Sequence, residues 1–235
     1  MKIIEKTTAD AIAEEVSDRI IDLVKKNPHA ILGLATGSSP IPTYEKIIAK
    51  AQAQKVDFSQ VITFNLDEYL NNPDETQSYR YFMATHLFDH INIRKENTHF
   101  PSLERLDQYD EDIKKAGGID LQLLGIGADG HIGFNEPGTP FDSKTHIADL
   151  KAQTIQDNAR FFKSIKDVPT QAVTMGMATI MQAKSIILIA TGANKAKAIQ
   201  LTASKIDPSC PASLLQRHKN STIYVDTAAA SLLGK

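Results

Sequence analysis

Asp129, His131, Asn135 and Glu136 fall within one stretch of the chain, Ile119 to Pro140, which reads IDLQLLGIGADGHIGFNEPGTP. The aspartate, histidine and glutamate can accept, hold and return protons, and the asparagine amide can donate and accept hydrogen bonds. The stretch starts as an apolar strand, passes through a glycine-rich turn, and then sets these groups close together. Ionisable groups crowded just past a buried strand cost folding free energy, and chains usually tolerate that cost at working sites. Asp129-x-His131, with Glu136 five residues further on, suits a histidine oriented by carboxylates and used for proton transfer at neutral pH. A metal ion would need three or four converging ligands. His86, His90 and His99 are distant in sequence and cannot be placed near this loop, so no metal is expected. A purely structural histidine is the bland alternative.

Further polar clusters follow other apolar runs. Thr36-Gly37-Ser38-Ser39 lies between a strand and a helix, where small hydroxyl residues and backbone N–H groups suit a phosphate. An ordinary helix cap accounts for the same residues equally well, and the G-K-[ST] ending of a Walker loop is missing. Asp67-Glu68 stands at the end of the apolar run VITFNL. A carboxylate on a cleft floor can act as a general base, while a solvated turn would also place two acids there. Adjacent strand residues point to opposite faces, so only one of the pair need face the cleft. Arg160 and Lys195 are each explicable as solvated helix charges. Lys195 follows a T-G-A-N turn, however, and with Thr36–Ser39 the two would make a compact anion pocket. Gly125 to Gly130 fits G-x-G-x-x-G, but a dinucleotide fingerprint must open a helix, and HIGFNEPGTP is too rich in glycine and proline to form a long one. The glycines instead let the backbone turn tightly and approach a ligand.

The pattern between these clusters alternates strands with helices. Lys2–Glu5 reads as an edge strand. Thr7 or Thr8 caps a helix with Ile12, Val16, Ile20 and Leu23 on one face, ended by Asn27-Pro28. A strand follows in HAILGLA, and a helix opens at Pro40 with Tyr44, Ile47 and Ile48 as its stripe. Val61–Leu66 is a second buried strand. Gln77–Phe88 reads as a helix with Tyr81, Thr85 and Phe88 on one side. Ile91–Pro101 is irregular, and Leu103–Ala116 is a helix stopped at Gly117-Gly118. Thr145–Leu150 reads as a short strand and Gln153–Phe162 as a helix. QAVT is then a brief strand, followed by a helix from about Met177. Ser185–Ala190 and Thr222–Val225 are strands, with helices through Leu201 and over Pro211–Arg217. Continuous apolar strands alternating with helices predict an α/β fold: an open, mostly parallel sheet covered on both faces, of modified Rossmann-like type. In such sheets ligands sit beyond the carboxyl ends of the strands, and that is where all four polar clusters fall.

Composition narrows the function classes. The 235 residues fit a single domain spanning 1–235. A net charge of −2 supplies no general field for nucleic acid or an anionic membrane. No apolar run approaches the roughly 20 residues of a membrane span, and MKIIEKTTAD lacks a signal-peptide core. The lone Cys210 excludes an intrachain disulfide and is expected to be a buried, inert thiol. A soluble cytoplasmic protein is expected, as a monomer or small homo-oligomer.

With these residues in place the chain resembles glucosamine-6-phosphate deaminase, of the sugar-phosphate isomerase-like group. The matching pieces are LATGSSPIPTY, VITFNLDEYL, the QSYRYFM helix, GIGADGHIGFNEPG, NARFF, TGANKAKAI and ASLLQRH, in order over nearly the whole chain. The related 6-phosphogluconolactonases share a G-x-x-DGH turn but usually lack FNEP, and their acidic pair continues as D-E-R rather than D-E-Y. The resemblance implies an enzyme that isomerises and hydrolytically deaminates glucosamine 6-phosphate, giving fructose 6-phosphate and ammonia without a cofactor. Asp67 matches the base that moves a proton between C2 and C1. His131 matches the ring-opening group, with Asp129 and Glu136 as its supporting carboxylates. Thr36, Gly37, Ser38, Ser39, Arg160 and Lys195 fall where the family holds phosphate.

Two other functions compete. A lactonase would use the same phosphate pocket with His131 as base for water. A silent sugar-phosphate sensor would keep the phosphate clamp and lose the acid–base set, yet Asp67, Asp129, His131 and Glu136 are all present and no helix-turn-helix is appended. The resemblance also suggests a short, non-allosteric type. Regulated members bind an acetylated sugar phosphate through a Ser-Ser pair after N-E-P and basic residues further on. Here those positions are Thr139-Pro140, His146 and Ala148, and the chain ends soon after its last strand. Lys144 and His146 are left as a partial site.

Overall fold

The computed structural model describes residues 1–72, 74–159 and 162–234. In chain order its strands are β1 (Lys2–Lys6), β2 (Ile31–Leu34), β3 (Ile62–Asn65), β4 (Asp67–Tyr69), β5 (Thr98–His99), β6 (Leu121–Leu124), β7 (His146–Asp149), β8 (Gln171–Thr174), β9 (Ile186–Ala190) and β10 (Ser221–Asp226). Seven of them form one sheet in the order β1-β10-β9-β6-β2-β3-β5. Every pairing in that sheet is parallel.

Helices α1 (Ala9–Lys26), α2 (Ile41–Gln54) and α3 (Tyr79–His86) cover one face of the sheet. Helices α4 (Tyr109–Ala116), α6 (Met177–Ile180), α7 (Ala196–Ala203) and α8 (Thr227–Ala230) cover the other. Burial on both faces explains why the strands read as continuous apolar runs. Leu32, Leu34, Leu123 and Ile187 pack toward α1 and α2, while Ile31, Phe64, Leu124 and Leu188 pack oppositely. Helix α1 starts where the Thr8 side chain accepts from the Ala11 N–H, and stops at Asn27. Both boundaries agree with the sequence reading.

A second sheet was not legible in advance. Strands β4, β8 and β7 form a separate three-stranded antiparallel unit. Its small core of Tyr69, Phe134, Ala148, Leu150 and Ala172 also receives Ile155 from helix α5 (Ala152–Asn158). Each of these strands is three or four residues long, and such runs carry too little periodicity to reveal their partners.

Smaller corrections concern α3 and the segments after it. The expected stripe of Tyr81, Thr85 and Phe88 does not form, because Tyr81 is 49% exposed and Met83 is the fully buried residue. The reason lies at the helix start. Ser78 caps it, and the Glu68 carboxylate accepts from the backbone N–H groups of Tyr79 and Arg80, both at 2.9 Å. That anchor sets the rotation of the helix and turns Tyr79, Phe82 and Met83 inward. The Ile91–Pro101 region, read as irregular, contributes the edge strand β5. The helix expected from Leu103 is a 3-10 turn to Gln108, with α-helix only from Tyr109.

From β2 the chain runs outward to β3 and β5, then crosses back to β6 on the other side of β2. The loops leaving β2 and β6 therefore diverge and open a crevice, the topological switch point at which ligands bind in sheets of this kind.

Candidate active site

The crevice is a cleft of about 470 Å³. Thr36, Gly37, Ser38 and Ser39 enter its lining after β2, Asp67 after β3, Gly125–Ala128 and His131 after β6, and Asn194 and Lys195 after β9. Four loops expected at strand ends thus meet in one cavity. Arg160 lies outside the described residues.

Asp67 sits where the chain leaves the parallel sheet and begins the antiparallel one, paired with Thr174. It is 5% exposed, and burial, aided by the neighbouring Glu68 charge, raises its carboxyl pKa to about 8. Water stabilises a carboxylate far better than this pocket does, so the neutral acid is favoured when the cleft is empty. Gly133, at φ 59°, passes close beside it: a Cβ there would lie 3.1 Å from Asp67 Oδ2 and 2.9 Å from Thr174 Oγ1. Glu68 points away from the cleft and serves as the anchor of α3, so the acidic pair divides its work between two faces as strand alternation requires.

His131 is held by a tight local turn. Its backbone N–H and its Nδ1 both reach Asp129 Oδ1, at 3.2 and 2.7 Å. This hydrogen bond with His131 is the first cause of the Asp129 pKa falling to about 2. The ring lies flat on Gly127, where a Cβ would stand 2.1 Å from the imidazole carbon between the two nitrogens; only glycine leaves room for it. Behind the ring, Glu136 is 7% exposed and its Oε2 lies 3.9 Å from the same Nδ1. With Nδ1–H directed at carboxylates, the tautomer that leaves Nε2 as acceptor is favoured.

Asn135, the remaining polar member of the motif, is fully buried and donates to the carbonyls of Ile132 and Met175 at 2.9 and 2.8 Å. It pins the loop to the end of β8 and does not line the cleft. Cys210 is buried against Gly130, and burial pushes its thiol pKa up, as expected of an inert cysteine. Asp129, His131 and Glu136 also bring three potential metal-ligating atoms within 4.8 Å of one another. The 2.7 Å contact between Asp129 and Nδ1 is the distance of a bridging proton. Two ligands of one zinc ion stand roughly 3.3 Å apart, so an ion there would need the pair to separate.

Sequence reasoning missed Tyr79, Phe134, Thr154 and Asn158, all of which line the cleft. Tyr79 stacks on Phe134, with ring centroids 6.0 Å apart, and its hydroxyl interacts with Thr36 and Tyr69. Asn158 donates to the Tyr69 hydroxyl at 2.9 Å. Their signal was weak, because they come from separate places in the chain: Tyr79 from the start of α3, Phe134 from the loop after β6, and Thr154 and Asn158 from the short helix α5.

A family model described as glucosamine-6-phosphate isomerases/6-phosphogluconolactonase matches residues 4–224. A glucosamine-6-phosphate deaminase of Mycoplasma mycoides is 49% identical over 238 residues, covering 99% of this chain and 98% of its own. One from a Thermoanaerobacter species is 46% identical over 241 residues, covering 99% and 95%. Among solved structures, a monomeric glucosamine-6-phosphate deaminase superposes with a TM-score of 0.95 at 40% identity, covering 99% of this chain and 100% of its own. The 6-phosphogluconolactonase of Thermotoga maritima shares the fold, with a TM-score of 0.74 at 22% identity over 96% of this chain and 98% of its own. The cleft therefore sits in a chain that belongs to the glucosamine-6-phosphate isomerase and 6-phosphogluconolactonase family.

Proposed function

We propose that this chain converts glucosamine 6-phosphate and water to fructose 6-phosphate and ammonia. The observation that carries this reading is the lining of one cleft by a buried carboxyl, Asp67, and by a histidine backed by two carboxylates, beside a hydroxyl-rich loop and Lys195. The greater similarity to deaminases than to lactonases favours it over lactone hydrolysis.

The cyclic sugar has no carbonyl, so ring opening comes first. His131, with Nδ1 occupied, returns a proton to the ring oxygen and takes one from the C1 hydroxyl through Nε2. Asp67 then carries the proton from C2 to C1. Its raised pKa suits the task, because the amine on C2 of the substrate is cationic and draws the carboxyl toward its charged form on binding. The phosphate, remote from the reacting carbons, supplies binding free energy that positions them. Thr36–Ser39, Lys195 and Arg160 are read as its clamp. Release of ammonia from glucosamine 6-phosphate by the purified protein, with no hydrolysis of a phosphogluconolactone, tests the reading. The reverse pattern would replace it with the lactonase. A cytoplasmic enzyme acting as a monomer or small homo-oligomer is part of the same proposal, and among the described residues no helix is long and apolar enough to cross a membrane.

Two predictions arise here. Arg160→Ala and Lys195→Ala should raise KM for the phosphorylated sugar by about tenfold or more, since hydrogen bonds to charged groups contribute roughly 1.5–3 kcal/mol. Activity on glucosamine without the phosphate should change little; an equal loss on both substrates would remove these residues from the clamp. The second concerns regulation. The His146 ring Nδ1 engages the Lys144 carbonyl at 2.7 Å, and Ala148 is buried and uncharged. An effector shifts an equilibrium only through unequal affinity for two states. Rate curves should therefore be hyperbolic, with half-saturation unchanged by N-acetylglucosamine 6-phosphate. A sigmoidal curve made hyperbolic by that compound would show a working effector site.

A further inference from the structure

Glu136 has two carboxylate oxygens and two different neighbours. Oε2 is buried, lacks a hydrogen-bond partner among the described residues, and lies 3.9 Å from His131 Nδ1. Oε1 accepts a hydrogen bond of 2.6 Å from the Thr154 hydroxyl. Thr154 is 6% exposed and Glu136 7%, so neither group exchanges freely with water. Thr154 lies on α5, which packs on the small antiparallel sheet, whereas Glu136 belongs to the loop after β6 of the large one. The contact thus joins the two sheets at the back of the imidazole.

The geometry points to Thr154 as a positioning residue that acts through Glu136. A carboxylate held only by its own side-chain torsions can rotate. One anchored through Oε1 presents Oε2 to His131 in a single orientation. The anchor matters most when His131 gains a proton during ring opening, because a second carboxylate then stands ready beside Nδ1. Helix α5 is braced at one end by Asn158, which donates to the Tyr69 hydroxyl, and at the other by Lys151 Nζ, which donates to the Pro137 carbonyl at 3.2 Å. Thr154 is therefore held from both ends of its helix, and its hydroxyl can act as a fixed support.

This inference rests on reading Glu136 and His131 as the ring-opening pair, and a double-mutant cycle separates the two claims. Thr154→Val keeps the shape and removes the donor. It should lower kcat on cyclic glucosamine 6-phosphate by roughly ten- to a hundredfold, the range for losing a hydrogen bond to a charged partner, with little change in KM. An analogue locked in the open-chain form should bind and exchange its C2 proton at a nearly unchanged rate. Thr154→Ser, which restores the hydroxyl, should recover most of the loss. In a Glu136→Gln background the valine substitution should cost much less than in the wild type, because its target is already disabled. Equal, additive losses in the two backgrounds, or no rescue by serine, would overturn the positioning role. Wild-type turnover by Glu136→Gln would instead overturn the reading of the triad. If Thr154→Val does not fold, Thr154→Ala takes its place in the same cycle, with thermal unfolding as the check on folding.

Discussion

Asp67→Asn is expected to abolish turnover and at the same time stabilise the protein. The amide keeps the shape of the side chain and removes the base, so C2 proton exchange with solvent deuterium should fall by about a thousandfold or more, within the usual contribution of a positioned general base. Binding of the sugar phosphate should persist. The stability gain follows from burial. Folded Asp67 holds its proton up to about pH 8, far above the ordinary aspartate value of 3.8 that it regains on unfolding. Between those values the folded state binds a proton that the unfolded state has released, so the wild type loses stability as pH rises through this window. Below it the carboxyl is neutral in both states, and above it the penalty is constant. The asparagine variant carries no such slope. Its advantage should be small near pH 4, grow with pH, and level off past about 8. At pH 8 a rise in Tm of roughly 4 to 8 °C is expected, allowing for relaxation around the charge. An unchanged Tm difference across this range would mean that Asp67 is not held neutral by the fold, and wild-type exchange of the C2 proton would remove it as the base.

His131→Gln should produce the other large effect, and a selective one. Glutamine fills similar space but cannot take and return a proton at neutral pH. Turnover of the cyclic substrate should drop by about a hundredfold or more, while an open-chain analogue should lose far less, since Asp67 is untouched. Comparing kcat on the two substrates checks this. Equal losses would place His131 in a step after ring opening. Gly127 bears on the same result: because the imidazole lies directly on it, Gly127→Ala should displace the ring and mimic His131→Gln on the cyclic substrate.

Much of this molecule was legible in the order of its residues. Continuous apolar runs such as SIILIA and VITFNL read as doubly buried strands, and β9 and β3 lie there, buried on both faces of a parallel sheet. Strand-end position brought Thr36–Ser39, Asp67, His131 and Lys195 together on paper, because parallel strands necessarily deliver all their carboxyl ends to one edge. The resemblance of the motifs supplied the family, and the similarity to the deaminases supports it.

Other features depended on contacts between residues far apart in the chain. Periodicity on α3 pointed to Tyr81, but the Glu68 carboxylate anchors that helix and turns Met83 inward instead. The small antiparallel sheet pairs Asp67 with Thr174, far apart in the chain, as well as His146 with the same Thr174, and nothing local in DEY or QAVT announces the pairing. Burial was equally invisible: the sequence offered Asp67 and Glu68 as two adjacent acids, and only packing made one a neutral carboxyl facing the cleft and the other a helix anchor. The bond between Thr154 and Glu136 belongs to the same class. Residue type and spacing reveal which groups are able to do chemistry; which lone pair faces which proton is decided when the two sheets close on each other, since desolvation and hydrogen-bond geometry exist only in the folded state.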